Sequence, residues 1–172
     1  LVAAVPGRDD AVVLDRGIEA ATIVRPTADH DEKVTLATLP RLNSIDIDRT
    51  GRFAVAWFDL TRAVAEAGGL GNVGEIGSFQ DVTVVSIARG EEKTVDLSVG
   101  FRPRKVAFDV SGTHAYVVTD DGVSVIDLAA AAAGTLHVAA TIPVAADPLG
   151  DPALREVEIT SDGAWAIERE PG

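Results

Sequence analysis

Three stretches of this chain follow one plan, and that plan limits what the rest can fold into. Ile45-Asp46-Ile47-Asp48-Arg49-Thr50-Gly51, Val106-Ala107-Phe108-Asp109-Val110-Ser111-Gly112 and Val157-Glu158-Ile159-Thr160-Ser161-Asp162-Gly163 each place β-branched or aromatic residues at alternate positions, then a polar pair and a glycine. Alternation predicts a strand, and the glycine supplies the positive φ of a tight hairpin turn. A second strand follows each turn, over residues 52–58, 114–119 and 164–168. The turn glycines Gly51, Gly112 and Gly163 stand 61 and 51 residues apart, a period that suits a four-stranded unit and exceeds that of helical repeats of the ankyrin kind.

Two further strand-like runs follow each of the first two hairpins, residues 81–88 with 93–99 and residues 122–128 with 136–142. The expected fold class is therefore all-β, a run of β-propeller blades built as four-stranded antiparallel sheets, about three blades' worth in all. The expected organisation is the last three strands of a blade in residues 1–38, a complete blade in 39–99 with an insertion at 61–78, a second complete blade in 100–143, and the first two strands of another in 144–172. In the opening segment, residues 1–5, 11–15 and 34–38 read as the strands, with Pro6-Gly7-Arg8-Asp9-Asp10 as the first turn.

The run Val82-Thr83-Val84-Val85-Ser86-Ile87, the linker Gly100-Phe101-Arg102-Pro103, the hairpin from Val106 to Val118 and the strand Val123-Ser124-Val125-Ile126-Asp127-Leu128 resemble the YVTN repeat of bacterial and archaeal surface-layer and lactonase-like propellers. Tyr116-Val117-Val118-Thr119 stands where that family carries its name motif. The resemblance implies a seven-bladed toroid of which this chain supplies under half. A blade buries both faces against its neighbours, so the remaining blades of a parent chain, or self-association, are expected to cover the two open faces.

Charge and composition narrow the function classes. A net charge of -12 repels nucleic-acid backbones and anionic membranes, and no run of Lys or Arg overrides that field. No apolar run approaches the ~20 residues that span a bilayer. With no cysteine, the chain has neither disulfides nor thiolate chemistry. The expected setting is an exported or surface-associated bacterial protein that binds an unknown protein or a small anionic ligand. The alternatives are a lactonase-like or metal-dependent hydrolase whose catalytic groups lie mostly in other blades, and a structural spacer.

The candidate ligand-binding residues are those entering the innermost strands: Arg41 and Asn43, Arg102 and Arg104, and Arg155. Arg41 and Arg102 each lie ten residues before a turn glycine, Arg104 and Arg155 eight, so quasi-equivalent positions repeat a cation. Guanidinium forks suit carboxylate and phosphate oxygens; salt bridges to nearby acids are the competing use of the same groups.

Other motifs carry less. Gly69-Leu70-Gly71-Asn72-Val73-Gly74 spells G-x-G-x-x-G, but a helical turn at 61–67 precedes it and a strand follows, the reverse of a dinucleotide site. Asp46, Asp48 and Gly51 lack the glutamate a calcium loop places at position twelve, where Trp57 stands. Asp29-His30-Asp31-Glu32 reads as a hydrated loop. No G-x-S-x-G elbow occurs, and neither a cofactor nor a metal site is predicted.

Overall fold

The computed structural model describes residues 1–144, 156–160, 162 and 164–169. The first sheet is β1 (Val2–Ala4), β2 (Ala11–Asp15), β3 (Ala20–Pro26) and β4 (Asp31–Ala37). The second is β5 (Ser44–Ile47), β6 (Phe53–Trp57), β7 (Asp81–Ser86) and β8 (Lys93–Ser98). The third is β9 (Lys105–Phe108), β10 (His114–Thr119), β11 (Gly122–Asp127) and β12 (Ala140–Ile142), and the hairpin β13 (Glu156–Ile159) with β14 (Ala166–Arg169) follows. Every sheet is an antiparallel meander in chain order.

The strand ladders run within each sheet. The sheets are joined to one another mainly by side-chain packing, with a few hydrogen bonds crossing between them, such as those of Ser98 with His137 and Ala139. On β6, Ala54 and Ala56 pack towards the first sheet with Val12, Ile23 and Ile87, while Val55 and Trp57 pack towards the third with Val106, Ala115 and Val117. On β10, Ala115 and Val117 face the second sheet while Val118 packs with Val123 and Val157 of the last hairpin. A strand buried on both faces loses the polar half of its alternation, which is why β6, Phe-Ala-Val-Ala-Trp, reads as an unbroken apolar run. Sheets stacked face to face in sequence order are the blades of a β-propeller.

The first sheet corrects the sequence reading of residues 1–38: it has four strands where three were expected. Ala20–Pro26 is the added strand, and Val2–Ala4 is the innermost. The N–H of Val5 bonds the carbonyl of Asp10 as Asp48 bonds Phe53, Asp109 bonds His114 and Thr160 bonds Trp165, so four hairpins share one closing hydrogen bond. The first was harder to align because Pro6-Gly7 places its positive φ of 71° one position earlier than Gly51 and Gly112 do.

Buried carboxylates hold two of these turns. Asp48 accepts from the N–H groups of Thr50 (2.8 Å), Arg52 (2.8 Å) and Phe53 (2.7 Å). Asp109 accepts from the N–H of Thr113 (2.8 Å) and of His114 (3.2 Å) and from the hydroxyls of Ser111 (2.8 Å) and Thr113 (2.6 Å). Burial alone pushes Asp109 upwards, but the hydroxyl and backbone donors outweigh it and hold the carboxyl well below the ordinary carboxylate range. A depressed native pKa stabilises the fold above the unfolded value, and that stability drains as pH falls through the native one. Asp109→Asn is therefore expected to lower stability by about 1–2 kcal/mol at pH 7 and to flatten the acid limb of the melting curve below pH ~4. Melting temperatures from pH 2 to 7 check this; an unchanged acid slope contradicts it.

Two short helices depart from the blade plan. α1 (Leu60–Ala67) lies in the β6–β7 insertion, its N-terminus capped by Asp59, which accepts from the N–H of Thr61 at 2.8 Å and of Arg62 at 3.2 Å. Gly68 ends it, and a single 3₁₀ turn, Leu70–Asn72, falls inside the G-x-G-x-x-G stretch. α2 (Leu128–Ala132) follows β11 and buries Leu128 and Ala131 against the second sheet. Among the described residues, no helix is long and apolar enough to cross a membrane.

Candidate functional site

A four-stranded meander sends its first and third strands one way and its second and fourth the other. Loops entering an innermost strand therefore share one end of the blade with loops joining the second strand to the third. Backbone bonds tie these loops together: Asp120 N–H to the Phe101 carbonyl (2.8 Å), Arg104 N–H to Val118 (2.9 Å) and Arg102 N–H to Phe79 (2.7 Å). The insertion belongs to this rim.

Asn43 is 3% exposed and is committed to the fold. Its side-chain amide donates to the Asp59 carbonyl at 2.9 Å and its oxygen accepts the Asp59 N–H at 2.6 Å, a side-chain copy of a strand pair. It thereby positions Asp59, the cap of α1. Beside it lies a cavity of about 390 Å³ lined by Arg16, Arg41, Asn43, Phe58, Glu66 and Glu75, with Ala63 and Val73 among its apolar walls. Arg16 comes from the β2–β3 turn, Arg41 from the loop entering β5, and both glutamates from the insertion.

Each charged group lining this cavity is paired. Arg16 Nη1 meets Glu66 Oε2 at 2.8 Å, Arg62 Nε meets the other oxygen of Glu66 at 2.9 Å, and Arg41 pairs with Glu75. The Arg62 and Arg16 guanidiniums hold the Glu66 carboxyl below its usual range. Arg102 and Arg104 do not line this cavity; they converge on Asp120, at 3.1 and 2.6 Å, whose side chain is 7% exposed. Arg155 lies outside the described residues. Arg41 and Arg102 also share a left-handed backbone, φ 63° and 56°, rare for residues with a side chain. The repeated position thus carries a repeated conformation, while the repeated cation finds a different carboxylate in each blade.

Sequence reasoning missed the groups that complete the rim. Arg16 and Glu66 meet across 50 residues, and no local pattern joins them. Phe58, Phe79 and Phe101 form a row with ring centroids 5.9 and 5.7 Å apart, linking the insertion to the loop entering β9, where Arg102 lies over the Phe101 ring at 5.9 Å.

Elsewhere, Asp46 lines a second cavity of about 360 Å³ with Val106, Phe108 and Ile159, beside the Lys105–Glu158 pair at 2.7 Å. Burial pushes the Asp46 carboxyl up, and the Lys105 charge opposes that. The nearby Asp48 is committed to its turn. His114 touches both Asp109 (3.5 Å) and the Thr113 hydroxyl (3.0 Å), but through the same nitrogen, Nδ1. A hydrolytic relay needs the carboxylate on one ring nitrogen and the hydroxyl on the other, so this contact belongs to the turn. Among the described residues, no three His, Asp or Glu side chains cluster in a way that could hold a metal ion.

No family profile matches the chain, and no curated protein does. Solved structures do. The chain is similar to hydrazine synthase of Kuenenia stuttgartiensis with a TM-score of 0.55 at 16% identity, over 97% of this chain and 42% of that one. Two proteins given the provisional name 6-phosphogluconolactonase also match at 12% identity and a TM-score of 0.50: one from Bacteroides fragilis over 74% of this chain and 34% of that one, the other from Bacteroides uniformis over 97% and 46%. At such identities the likeness concerns the fold, and the last two share it with lactonase-like propellers. The chain spans less than half the length of each of these structures.

Proposed function

We propose that the chain is part of a β-propeller that binds a small anionic ligand or a protein without catalysis, on an exported or surface-associated bacterial protein, with the rim around the insertion as its docking face. Within this reading it contributes to a seven-bladed toroid of the YVTN type, whose other blades, or further copies, cover its open faces. The observation that carries the reading is the cavity of about 390 Å³: an insertion absent from the neighbouring blades walls it, and two guanidiniums face it. Its volume falls in the range of small-molecule sites.

A lactonase-like hydrolase is the second reading, favoured by the names of two structural neighbours. Thermal melting of the 172-residue chain against a panel of small carboxylates and phosphates separates the two. A rise of about 2 °C or more with one of them, lost when Arg16 and Arg41 are both replaced by glutamine, is the expected result. Hydrolysis of five- or six-membered lactones above the uncatalysed rate would replace the binding reading with the enzymatic one. No shift and no hydrolysis would leave the spacer.

A further inference from the structure

The rim cavity is bordered by two cations from the blade scaffold and two anions from the insertion, and the pairing crosses between them. Arg16 belongs to the β2–β3 turn and Arg41 to the loop entering β5, whereas Glu66 lies on α1 and Glu75 on the segment after the 3₁₀ turn. Arg16 binds Glu66 and Arg41 binds Glu75. Both pairs are solvent-accessible: the side-chain exposures are 50% and 40% for the first, 45% and 73% for the second. Such pairs are individually weak and open to competition by other anions. The apolar hold on the insertion is also modest, since α1 has no fully buried residue and Leu60, Ala63 and Phe79 supply its partly buried contacts with the core.

The scaffold side is fixed more firmly. Asn43, two residues from Arg41, is buried and doubly bonded to the backbone of Asp59. Arg41 itself sits in the left-handed region, which commits its backbone to one geometry. Arg41, on its fixed backbone, and Arg16 thus face a cavity of ligand size, and the groups occupying them come from an exposed strap.

Resting on the proposed binding role of this rim, we infer that Glu66 and Glu75 are internal stand-ins for the ligand: a small anion with carboxylate or phosphate oxygens takes their places on Arg16 and Arg41, and the insertion is released as it binds. The insertion then covers the two cations until the ligand displaces it, so affinity is set by the exchange and falls with added salt. Neutralising the competitors tightens binding; neutralising the cations removes it.

The test is isothermal titration of the 172-residue chain at low ionic strength with two probes, inorganic phosphate and glutarate. Glu66→Gln with Glu75→Gln is expected to tighten at least one probe by roughly tenfold, and adding Arg41→Gln to that variant should return the gain. The stronger probe identifies which oxygen chemistry the site prefers. Equal affinity in the native chain and the glutamine variant, or no binding of either probe to both, overturns the exchange. Binding that survives Arg41→Gln but is lost in Arg102→Gln with Arg104→Gln also overturns it while leaving the wider rim reading intact. Should the glutamine variant fold poorly, hydrogen exchange on the native chain decides: glutarate or phosphate should speed amide exchange in residues 60–78 relative to chloride of equal ionic strength, and an unchanged rate rejects the proposal.

Discussion

Replacing Gly112 by alanine is expected to cost roughly 3–5 kcal/mol of stability. Two effects add. Gly112 has φ 63°, which an L side chain adopts only with strain. A Cβ there would also run into the Asp48 carboxylate and stand 3.0 Å from both the Oγ1 and Cγ2 atoms of Thr50. Those atoms belong to the turn of the preceding blade and cannot yield cheaply, because Asp48 holds three backbone N–H groups of that turn. The blades must separate instead. Gly51 makes the corresponding approach to Val5, where a Cβ would stand 2.6 Å from Cγ1. Gly7 is the control, since it shares the positive φ, at 71°, but has no atom within 4 Å of its virtual Cβ. Gly7→Ala should cost only about 1 kcal/mol. Urea denaturation of both variants measures the difference, and equal losses would show that blade contact at Gly112 contributes nothing.

Arg25→Met should cost about 3 kcal/mol, the penalty of removing one partner from a buried ion pair. Arg25 is 5% exposed and bridges the first two blades. It donates to the Ile87 carbonyl at 2.6 Å, pairs with Glu92 at 2.8 Å and lies 3.8 Å from Asp10. Methionine fills similar space but leaves the Glu92 carboxylate and the Ile87 carbonyl without that donor. Arg25→Lys should recover only part of the loss, because a single ammonium cannot present the planar fork that serves both acceptors. Chemical denaturation at pH 7 reads the effect; a methionine variant within ~0.5 kcal/mol of the native chain would show that the apolar contacts alone hold these blades together.

The legible part of the fold came from elements that repeat locally. Residues 106–119 announce a hairpin because alternation, the Asp-Val-Ser-Gly turn and the apolar run of β10 all point one way. The same template was incomplete at residues 1–38, where the Pro-Gly turn and the strand over 34–38 were read but β3, Ala20–Pro26, was not. At the rim, the spacing of Arg41 and Arg102 from their turn glycines marked a repeated position, and the structure adds that the two share a left-handed backbone. It gave no sign that one would meet Glu75 and the other Asp120. Asn43 illustrates the same divide: a candidate ligand-binding residue by sequence, a buried clamp in the fold.

Strand content, hairpin turns and the four-stranded period belong to the sequence itself, since they rest on side-chain alternation and backbone preferences felt within a few residues. Which carboxylate neutralises which guanidinium, and that an inserted helix closes a cavity against a turn 50 residues away, was decided only when the blades stacked. Electrostatic pairing acts through space over a few ångströms, and chain order does not encode those distances until apolar faces have fixed one blade against the next.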